Sequence, residues 1–176
     1  MKKLLTILSV SAILLANSVS AQEKKEDKSK RPSPPAKVTQ TIASGAVITI
    51  DYSQPSVKGR TIGKDLEPKE GTVWRTGANE ATIFETSKEL TIAGQKLPAG
   101  KYSLFSLSGA KEWTIIFNKT WNQWGAYDYK QADDILRVKA SATQSTTPAE
   151  KLSFNIDKTG AVTLLWGSNV VGFKVQ

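Results

Sequence analysis

The chain of 176 residues contains no cysteine and no histidine. Without cysteine the folded protein has no disulfide bond, so its stability must come from its own core. The two absences also exclude Ser-His-Asp and Cys-His catalysis and the histidine or thiolate sites that bind zinc or copper. A lipoprotein anchor is excluded too, because that modification needs a cysteine at the cleavage site. Carboxylate, lysine, arginine, tyrosine and hydroxyl chemistry remain.

Long apolar runs are scarce, and the one clear run lies at the N-terminus. It occupies residues 4–16, follows two lysines, and is followed by the small residues Val-Ser-Ala at 19–21. This pattern predicts a secretory signal peptide over residues 1–21, with cleavage after Ala21 and a periplasmic or secreted product. No other run is long enough to cross a bilayer, so no membrane span is predicted.

A charged stretch follows the predicted signal peptide. Residues 22–31 read QEKKEDKSKR and contain nothing to bury, which predicts a flexible charged linker over 22–33 and a single domain over 34–176. The formal net charge is +8. The basic residues are spread along the chain and mixed with acids, so no nucleic-acid partner is predicted and the basic surface is interpreted as solvated.

Apolar and polar residues alternate along much of the predicted domain. A period of two with β-branched and aromatic residues is typical of half-buried strands. Short turns rich in Gly, Asn and Asp separate these stretches, and about ten short strands favour an all-β fold, an antiparallel Greek-key β-sandwich with a β-barrel as the alternative. The residues predicted to share buried faces are Ile48, Ile50 and Tyr52; Trp113, Ile115 and Phe117; Leu152, Phe154 and Ile156; Val162, Leu164 and Trp166; Val171, Phe173 and Val175.

One strand start resembles a tyrosine corner. In LPAGKYSLF, Gly100 precedes Tyr102 by two residues at the beginning of a strand. In such a corner the tyrosine hydroxyl bonds to the backbone a few residues upstream. A structural role is therefore predicted for Tyr102.

The loop VKGRTIGKDLEP, residues 57–68, superficially matches a phosphate-binding loop. Its two glycines enclose three residues rather than four, its lysine is followed by Asp65 rather than Ser or Thr, and no helix pattern follows. The loop is interpreted as a basic surface loop. Its candidate contacts to a phosphate or sulfate are Lys58, Arg60 and Lys64.

Aromatic residues cluster in TWNQWGAYDYKQADD, residues 120–134. Flat aromatic faces beside amides and a carboxylate suit a sugar-binding surface, and the same residues can equally close one end of a β-sandwich. Both interpretations stay open. The aspartates at 128, 133 and 134 match no calcium loop, so no metal or other cofactor is predicted.

The stretch VWRTGANEAT, residues 73–82, contains a tight bend flanked by Arg75 and Glu80. In a structural interpretation these two side chains pair across the bend while Asn79 bonds to the backbone. In a functional interpretation all three face a cleft, where Arg75 holds an anionic or carbonyl group of a ligand. Trp124, Tyr127 and Asp128 complete this candidate ligand site if their loop lies at the same end of the fold.

Four blocks, DYSQPSVKGR, VWRTGANEAT, LPAGKYSLF and NQWGAYDY, make the chain resemble a family of secreted bacterial proteins catalogued only as a domain of unknown function. The resemblance covers nearly the whole predicted domain and implies an exported β-rich protein, without an activity or a catalytic residue. Relatives of this pattern read Ser-Pro-His-Ala near the domain start, where this chain has Pro35 in place of the histidine.

Three classes of function remain compatible with the sequence. The first is a binding module for a glycan or another small polar ligand, because aromatic and polar residues cluster. The second is a structural or protein-interaction domain of the cell envelope, since no catalytic set is visible. The third is a hydrolase that uses Glu80 and Asp128 as its two carboxylates, which requires them to face each other across a cleft.

Overall fold

The computed structural model describes residues 26–176, so the predicted signal peptide and the first residues of the predicted linker lie outside the described residues. The described part is all-β, as predicted, and its only helices are two three-residue 3₁₀ turns, too short to cross a membrane. The 3₁₀ turns are Lys28–Lys30 and Gln131–Asp133, and the strands are β1 Pro35–Thr41, β2 Val47–Ser53, β3 Ile83–Thr86, β4 Leu90–Ile92, β5 Gln95–Leu97, β6 Gly100–Leu107, β7 Glu112–Asn118, β8 Asp134–Ile156 and β9 Ala161–Lys174.

Seven strands form one antiparallel sheet in the order β1-β2-β3-β6-β7-β8-β9, and β4 pairs with β5 in a small second sheet. Neighbours in the large sheet follow chain order, apart from the β4–β5 hairpin inserted between β3 and β6. The connectivity is therefore that of a meander and not the predicted Greek key. The large sheet is curled into a half-barrel, which lies closer to the barrel alternative.

The segment after β2 brings the two ends of the curled sheet together. Ser56 forms a bridge with Lys151 in the C-terminal part of β8, and the N–H of Val57 donates to the carbonyl of Glu150 at 2.8 Å. β8 can pair with this segment as well as with β7 and β9, because its pairing with β9 shifts register twice between Gln144 and Ser153. Such irregularities bend a strand and increase its twist.

The alternating residues form the main core, as predicted. Of the fifteen residues predicted to share buried faces, all but Phe173 are buried, and Phe173 packs against the core at its edge. Edge-to-face aromatic pairs connect the strands, among them Phe84 with Phe117 at 5.0 Å between ring centroids.

A second, smaller apolar cluster lies apart from the main core and positions the aromatic loop. Ala81, Phe105 and Ile116 are buried there, and Ala126 and Tyr129 of the loop pack against them. The rings of Phe105 and Tyr129 meet edge to face at 5.0 Å. The loop is therefore anchored to the sheet through its C-terminal half.

The tyrosine corner is confirmed. The hydroxyl of Tyr102 donates a hydrogen bond of 2.8 Å to the carbonyl of Pro98, four residues upstream. Burial raises the pKa of this phenol. The corner closes the turn between β5 and β6.

Candidate functional site

The bend at residues 73–82 and the aromatic loop meet through their main chains. The N–H of Ala81 donates to the carbonyl of Gln123 at 3.1 Å, and the N–H of Gly125 donates to the carbonyl of Asn79 at 3.1 Å. Between these two bonds, Glu80 forms an isolated β-bridge with Trp124. The bend and the aromatic loop therefore lie side by side.

Buried hydrogen bonds hold the bend in shape. The indole N–H of Trp74 donates to the carbonyl of Gly77 at 3.1 Å, and the hydroxyl of Thr82 donates to the carbonyl of Thr76 at 2.9 Å. Asn79 adopts a φ of +56°, a left-handed conformation that asparagine tolerates better than most residues. Its side-chain amide donates to the carbonyl of Ser33 at 2.9 Å, so it bonds to the segment before β1 and not to the backbone of the bend.

Glu80 does not pair with Arg75 across the bend. Its carboxylate instead accepts hydrogen bonds from Lys28 at 2.7 Å and from Arg31 at 3.0 and 2.8 Å. The structural interpretation based on an Arg75–Glu80 pair is therefore wrong, because the segment before β1 supplies the cations. The composition of residues 26–33 does not indicate these contacts.

The surroundings of Glu80 stabilise its ionised form. Burial by itself raises the pKa of this carboxyl, but hydrogen bonds from Lys28, from its own backbone N–H and from Arg31 outweigh burial and lower the pKa to about 2. Glu80 is therefore an anion over the whole neutral and mildly acidic range.

The lowered pKa predicts how the contribution of Glu80 to stability depends on pH. Because the folded-state pKa lies below the ordinary value of 4.5, the contribution is complete above that value and is lost as the pH falls towards about 2. We expect Glu80→Gln to reduce the free energy of unfolding by about 1 kcal/mol at neutral pH, since solvent screens a carboxylate that is one-third exposed. Urea unfolding of both proteins across this pH range measures the difference.

The control for this experiment is Glu85→Gln, which removes another exposed carboxylate that faces a lysine, Lys101. A difference between Glu80→Gln and the natural chain that stays constant down to about pH 2 contradicts the assignment of the ion pair.

Arg75 has a buried hydrogen-bond donor, its Nε, that is unpaired within the part of the chain that the structure describes. Its Nε atom is inaccessible to solvent, and no residue of the described chain accepts a hydrogen bond from it. Arg75 also forms no ion pair within residues 26–176. An unpaired buried donor costs about 1–3 kcal/mol, so its presence calls for an explanation.

Arg75 lines a cleft of about 360 Å³. Ligand pockets commonly begin at about 300 Å³, so the cleft is large enough for a small molecule. Arg60 and Lys69 add two further cations. The other lining residues are Ser33, Pro55, Asp65, Leu66, Glu67, Trp74, Gly77, Ala78, Asn79 and Trp166.

The two acids of this cleft each accept a hydrogen bond from the backbone of their own loop. Asp65 accepts the backbone N–H of Thr61 at 2.9 Å, and Glu67 accepts that of Lys69 at 2.8 Å. Neither acid pairs with Arg75. The three cations of the cleft, Arg60, Lys69 and Arg75, exceed its two acids by one charge, and this net positive charge favours an anionic group.

A second cleft of about 240 Å³ borders the first. It shares Glu67, Trp74 and Arg75 with the first cleft and adds Tyr127. Tyr127 is 83% exposed and offers its ring at the surface. Arg75 thus stands between two adjoining clefts, one cationic and one with an exposed aromatic ring.

Five of the six candidate residues form two groups, and Asp128 stands apart from both. Arg75 lies between the clefts with Asn79 on one side and Tyr127 on the other, whereas Glu80 and Trp124 lie together under Arg31. Asp128 is exposed and lines none of the clefts described here.

Another acid of the aromatic loop, Asp134, is engaged in hydrogen bonds with neighbouring side chains. Asp134 accepts hydrogen bonds from Asn118 at 2.9 Å, Tyr129 at 2.6 Å and Arg137 at 2.8 Å. Burial, followed by the hydrogen bond to Asp134, raises the pKa of Tyr129 to about 12. In the described part of the chain, no three His, Cys, Asp or Glu side chains converge in a way that would hold a metal ion.

Sequence reasoning missed three components of the site. Lys28 and Arg31 fall in the predicted linker, whose composition gives no sign of a docked segment. Trp166 was identified only as a core residue, although its indole edge reaches the cleft and donates to the carbonyl of Glu67 at 2.7 Å. Arg60, by contrast, was among the anion candidates of its loop, and it alone of those three lines the cleft.

Comparison with known proteins identifies the family but not the activity. Residues 33–175 match a family described as "Protein of unknown function (DUF2911)". No curated protein and no solved structure shows a significant match. The match covers most of the chain and includes the bend, the aromatic loop and the clefts beside Arg75. The chain therefore belongs to the DUF2911 family of proteins of unknown function.

Proposed function

We propose that this protein is a ligand-binding module that takes a small polar molecule bearing an anionic group into the clefts beside Arg75. The observation that carries the proposal is that Arg75 lines both clefts and forms no ion pair with any residue of 26–176, while its Nε lacks an acceptor there. A carboxylate or phosphate on the ligand would accept from the guanidinium of Arg75, and such charge-assisted bonds are about twice as strong as neutral ones.

The neighbouring residues favour a sugar acid as the ligand. Arg60 and Lys69 add positive charge to the larger cleft, and Asn79 borders it. Tyr127 exposes an aromatic ring along the adjoining cleft, where an apolar sugar face can stack. A sugar acid that places its carboxylate against Arg75 and its ring against Tyr127 would occupy both clefts.

Binding rather than catalysis is favoured by the state of the carboxylates. The acid of a glycoside hydrolase needs a raised pKa, whereas the pKa of Glu80 is lowered to about 2 and its oxygens are engaged by Lys28 and Arg31. Asp128 lines no cleft with it. These contacts give the proposed hydrolase pair no support.

The proposal includes export from the cytoplasm. Its support is the N-terminal pattern of two lysines, an apolar run and small residues before position 22. Sequencing the N-terminus of the protein recovered from the cell envelope tests cleavage after Ala21.

The binding proposal is tested with glucuronate and its neutral analogue glucose, titrated by calorimetry. We expect glucuronate to bind at least about tenfold more tightly than glucose, because glucose lacks the carboxylate to which Arg75 would donate. Arg75→Ala is expected to weaken glucuronate binding by about 30-fold, and Arg75→Lys by less, since lysine keeps the charge but not the planar fork.

The matched control is Lys64→Ala, which removes an exposed cation of the neighbouring loop that does not line the clefts. It is expected to leave the affinity for glucuronate unchanged. Equal binding of glucuronate and glucose, or an Arg75→Ala protein that folds and binds glucuronate as the natural chain does, would refute the proposal.

A further inference from the structure

The side chain of Arg31 occupies a cradle on the domain surface. Its Nη1 donates to both carboxylate oxygens of Glu80, at 3.0 and 2.8 Å. Its guanidinium carbon lies 5.7 Å from the centroid of the Trp124 ring, within the range of a cation–π contact. Although it belongs to a charged segment, the Arg31 side chain is only 13% exposed.

The domain builds this cradle without help from Arg31. Glu80 and Trp124 are held side by side by the β-bridge between them and by the two main-chain hydrogen bonds that flank it, Ala81 to Gln123 and Gly125 to Asn79. A carboxylate and an indole face at fixed separation suit a guanidinium, which combines planar hydrogen-bond donors with a face that stacks on aromatic rings.

Residues 26–31, the segment that contains Arg31, make few polar contacts with the domain. Among the described residues, the hydrogen bonds and ion pairs of 26–31 with the domain come from Lys28 and Arg31, and both end on Glu80. The remaining ones are internal: Arg31 pairs with Glu26, Lys30 pairs with Asp27, and Ser29 bonds to Asp27. Both polar attachments to the domain therefore end on the same carboxylate, and the contact of Arg31 with the Trp124 ring adds to them.

We propose that Glu80 and Trp124 form a receptor site for a peptide that carries a lysine and an arginine three residues apart, and that Lys28 and Arg31 are its displaceable internal occupants. The partner is a basic segment of another protein chain with the pattern Lys-x-x-Arg. This site uses residues other than Arg75, so the inference does not rest on the proposed binding of an anion.

The internal occupants, Lys28 and Arg31, compete with any free peptide for the site. Arg31 precedes β1 by only a few residues, and a short tether gives an effective concentration on the order of millimolar. A free peptide at micromolar concentration therefore competes poorly with the natural chain. Removing the two internal cations opens the site to the same peptide.

The test uses a fluorescent peptide with the sequence EDKSKRPSPPA, which is residues 26–36 of this chain. It is titrated against the exported chain and against the same chain with Lys28→Ala and Arg31→Ala. We expect the double variant to bind the peptide at least about tenfold more tightly than the natural chain does, because the internal occupants no longer compete.

Two further variants show whether the cradle is the binding site. Adding Glu80→Gln to the double variant is expected to abolish peptide binding, and adding Trp124→Phe to weaken it severalfold. A peptide whose arginine is replaced by lysine is expected to bind the double variant about tenfold more weakly, because lysine lacks the planar fork. Circular dichroism establishes that each variant is folded.

Two results overturn the proposal. One is peptide binding of equal strength by the double variant with and without Glu80→Gln. The other is an absence of measurable binding by the folded double variant at peptide concentrations up to about 1 mM, the concentration that the tether supplies. Neither result bears on the glucuronate titration, so failure of this proposal and failure of the anion-binding proposal are distinguishable.

Discussion

Trp166→Ala is expected to lower the free energy of unfolding by about 4 kcal/mol, the usual loss when a buried tryptophan is truncated to alanine. Trp166 is 1% exposed and packs in the main core. Its indole N–H donates to the carbonyl of Glu67 at 2.7 Å, and Glu67 borders both clefts beside Arg75. The substitution removes the packing and this anchor of the cleft wall together.

A second substitution separates the two contributions. Trp166→Phe keeps an aromatic ring in the core but leaves the Glu67 carbonyl without its donor, so a loss of about 1–2 kcal/mol is expected. Urea unfolding followed by circular dichroism measures both variants. Tyr127→Ala serves as the control, because a side chain that is 83% exposed is expected to change stability by less than about 0.5 kcal/mol.

A loss below about 1 kcal/mol for Trp166→Ala contradicts the packing described here, since burial of an indole accounts for most of the expected effect.

Gly160→Ala is expected to destabilise the fold by about 3 kcal/mol or more, through strain at a left-handed residue and through a steric clash. Gly160 ends the turn between β8 and β9 with a φ of +86°. A Cβ atom at this position would lie 2.0 Å from the carbonyl oxygen of Val175. At that distance the backbone must move. The movement also disturbs the hydrogen bond of 2.9 Å from the N–H of Val175 to the carbonyl of Gly160.

The turn between β4 and β5 offers a matched control. Gly94 has a similar φ of +79°, but no atom lies within 4 Å of the position that a Cβ would take. Gly94→Ala therefore introduces the conformational strain alone, and we expect it to cost about 1–2 kcal/mol. Equal losses in the two variants, measured by urea unfolding, would show that no clash occurs at Val175.

The elements of the fold were predictable wherever the signal is local. The alternation in β7 places Trp113, Ile115 and Phe117 on one face, and all three are buried. The tyrosine corner was predictable because Tyr102 and Pro98 lie only four residues apart. Period and turn chemistry act over a few residues, so they can be read from the chain directly.

The order of the strands was not predictable in the same way. A β-meander and a Greek key use the same alternating segments and similar turns, and they differ in which segments become neighbours. Here the segment around Ser56 pairs with Lys151, nearly a hundred residues further along the chain. No local pattern in either segment specifies that partner, because many strands of similar composition compete for it.

The candidate site shows the same limit at the level of single side chains. Arg75 and Glu80 flank one bend, and their proximity in sequence suggests a pair. Glu80 in fact pairs with Arg31, which is 49 residues away, and the buried Nε of Arg75 has no acceptor among residues 26–176. A carboxylate in a cationic chain has many available partners, and proximity in three dimensions selects among them.

The sequence by itself determined the all-β class, the buried faces of the strands, the tyrosine corner and the absence of thiol and imidazole chemistry, because each depends on composition or on residues a few positions apart. Only the tertiary structure decided that the sheet is a curled meander, that Arg75 lies between two clefts and that Arg31 fills the cradle of Glu80 and Trp124. These features depend on distances between segments far apart in the chain, and only the packing of the whole domain sets those distances.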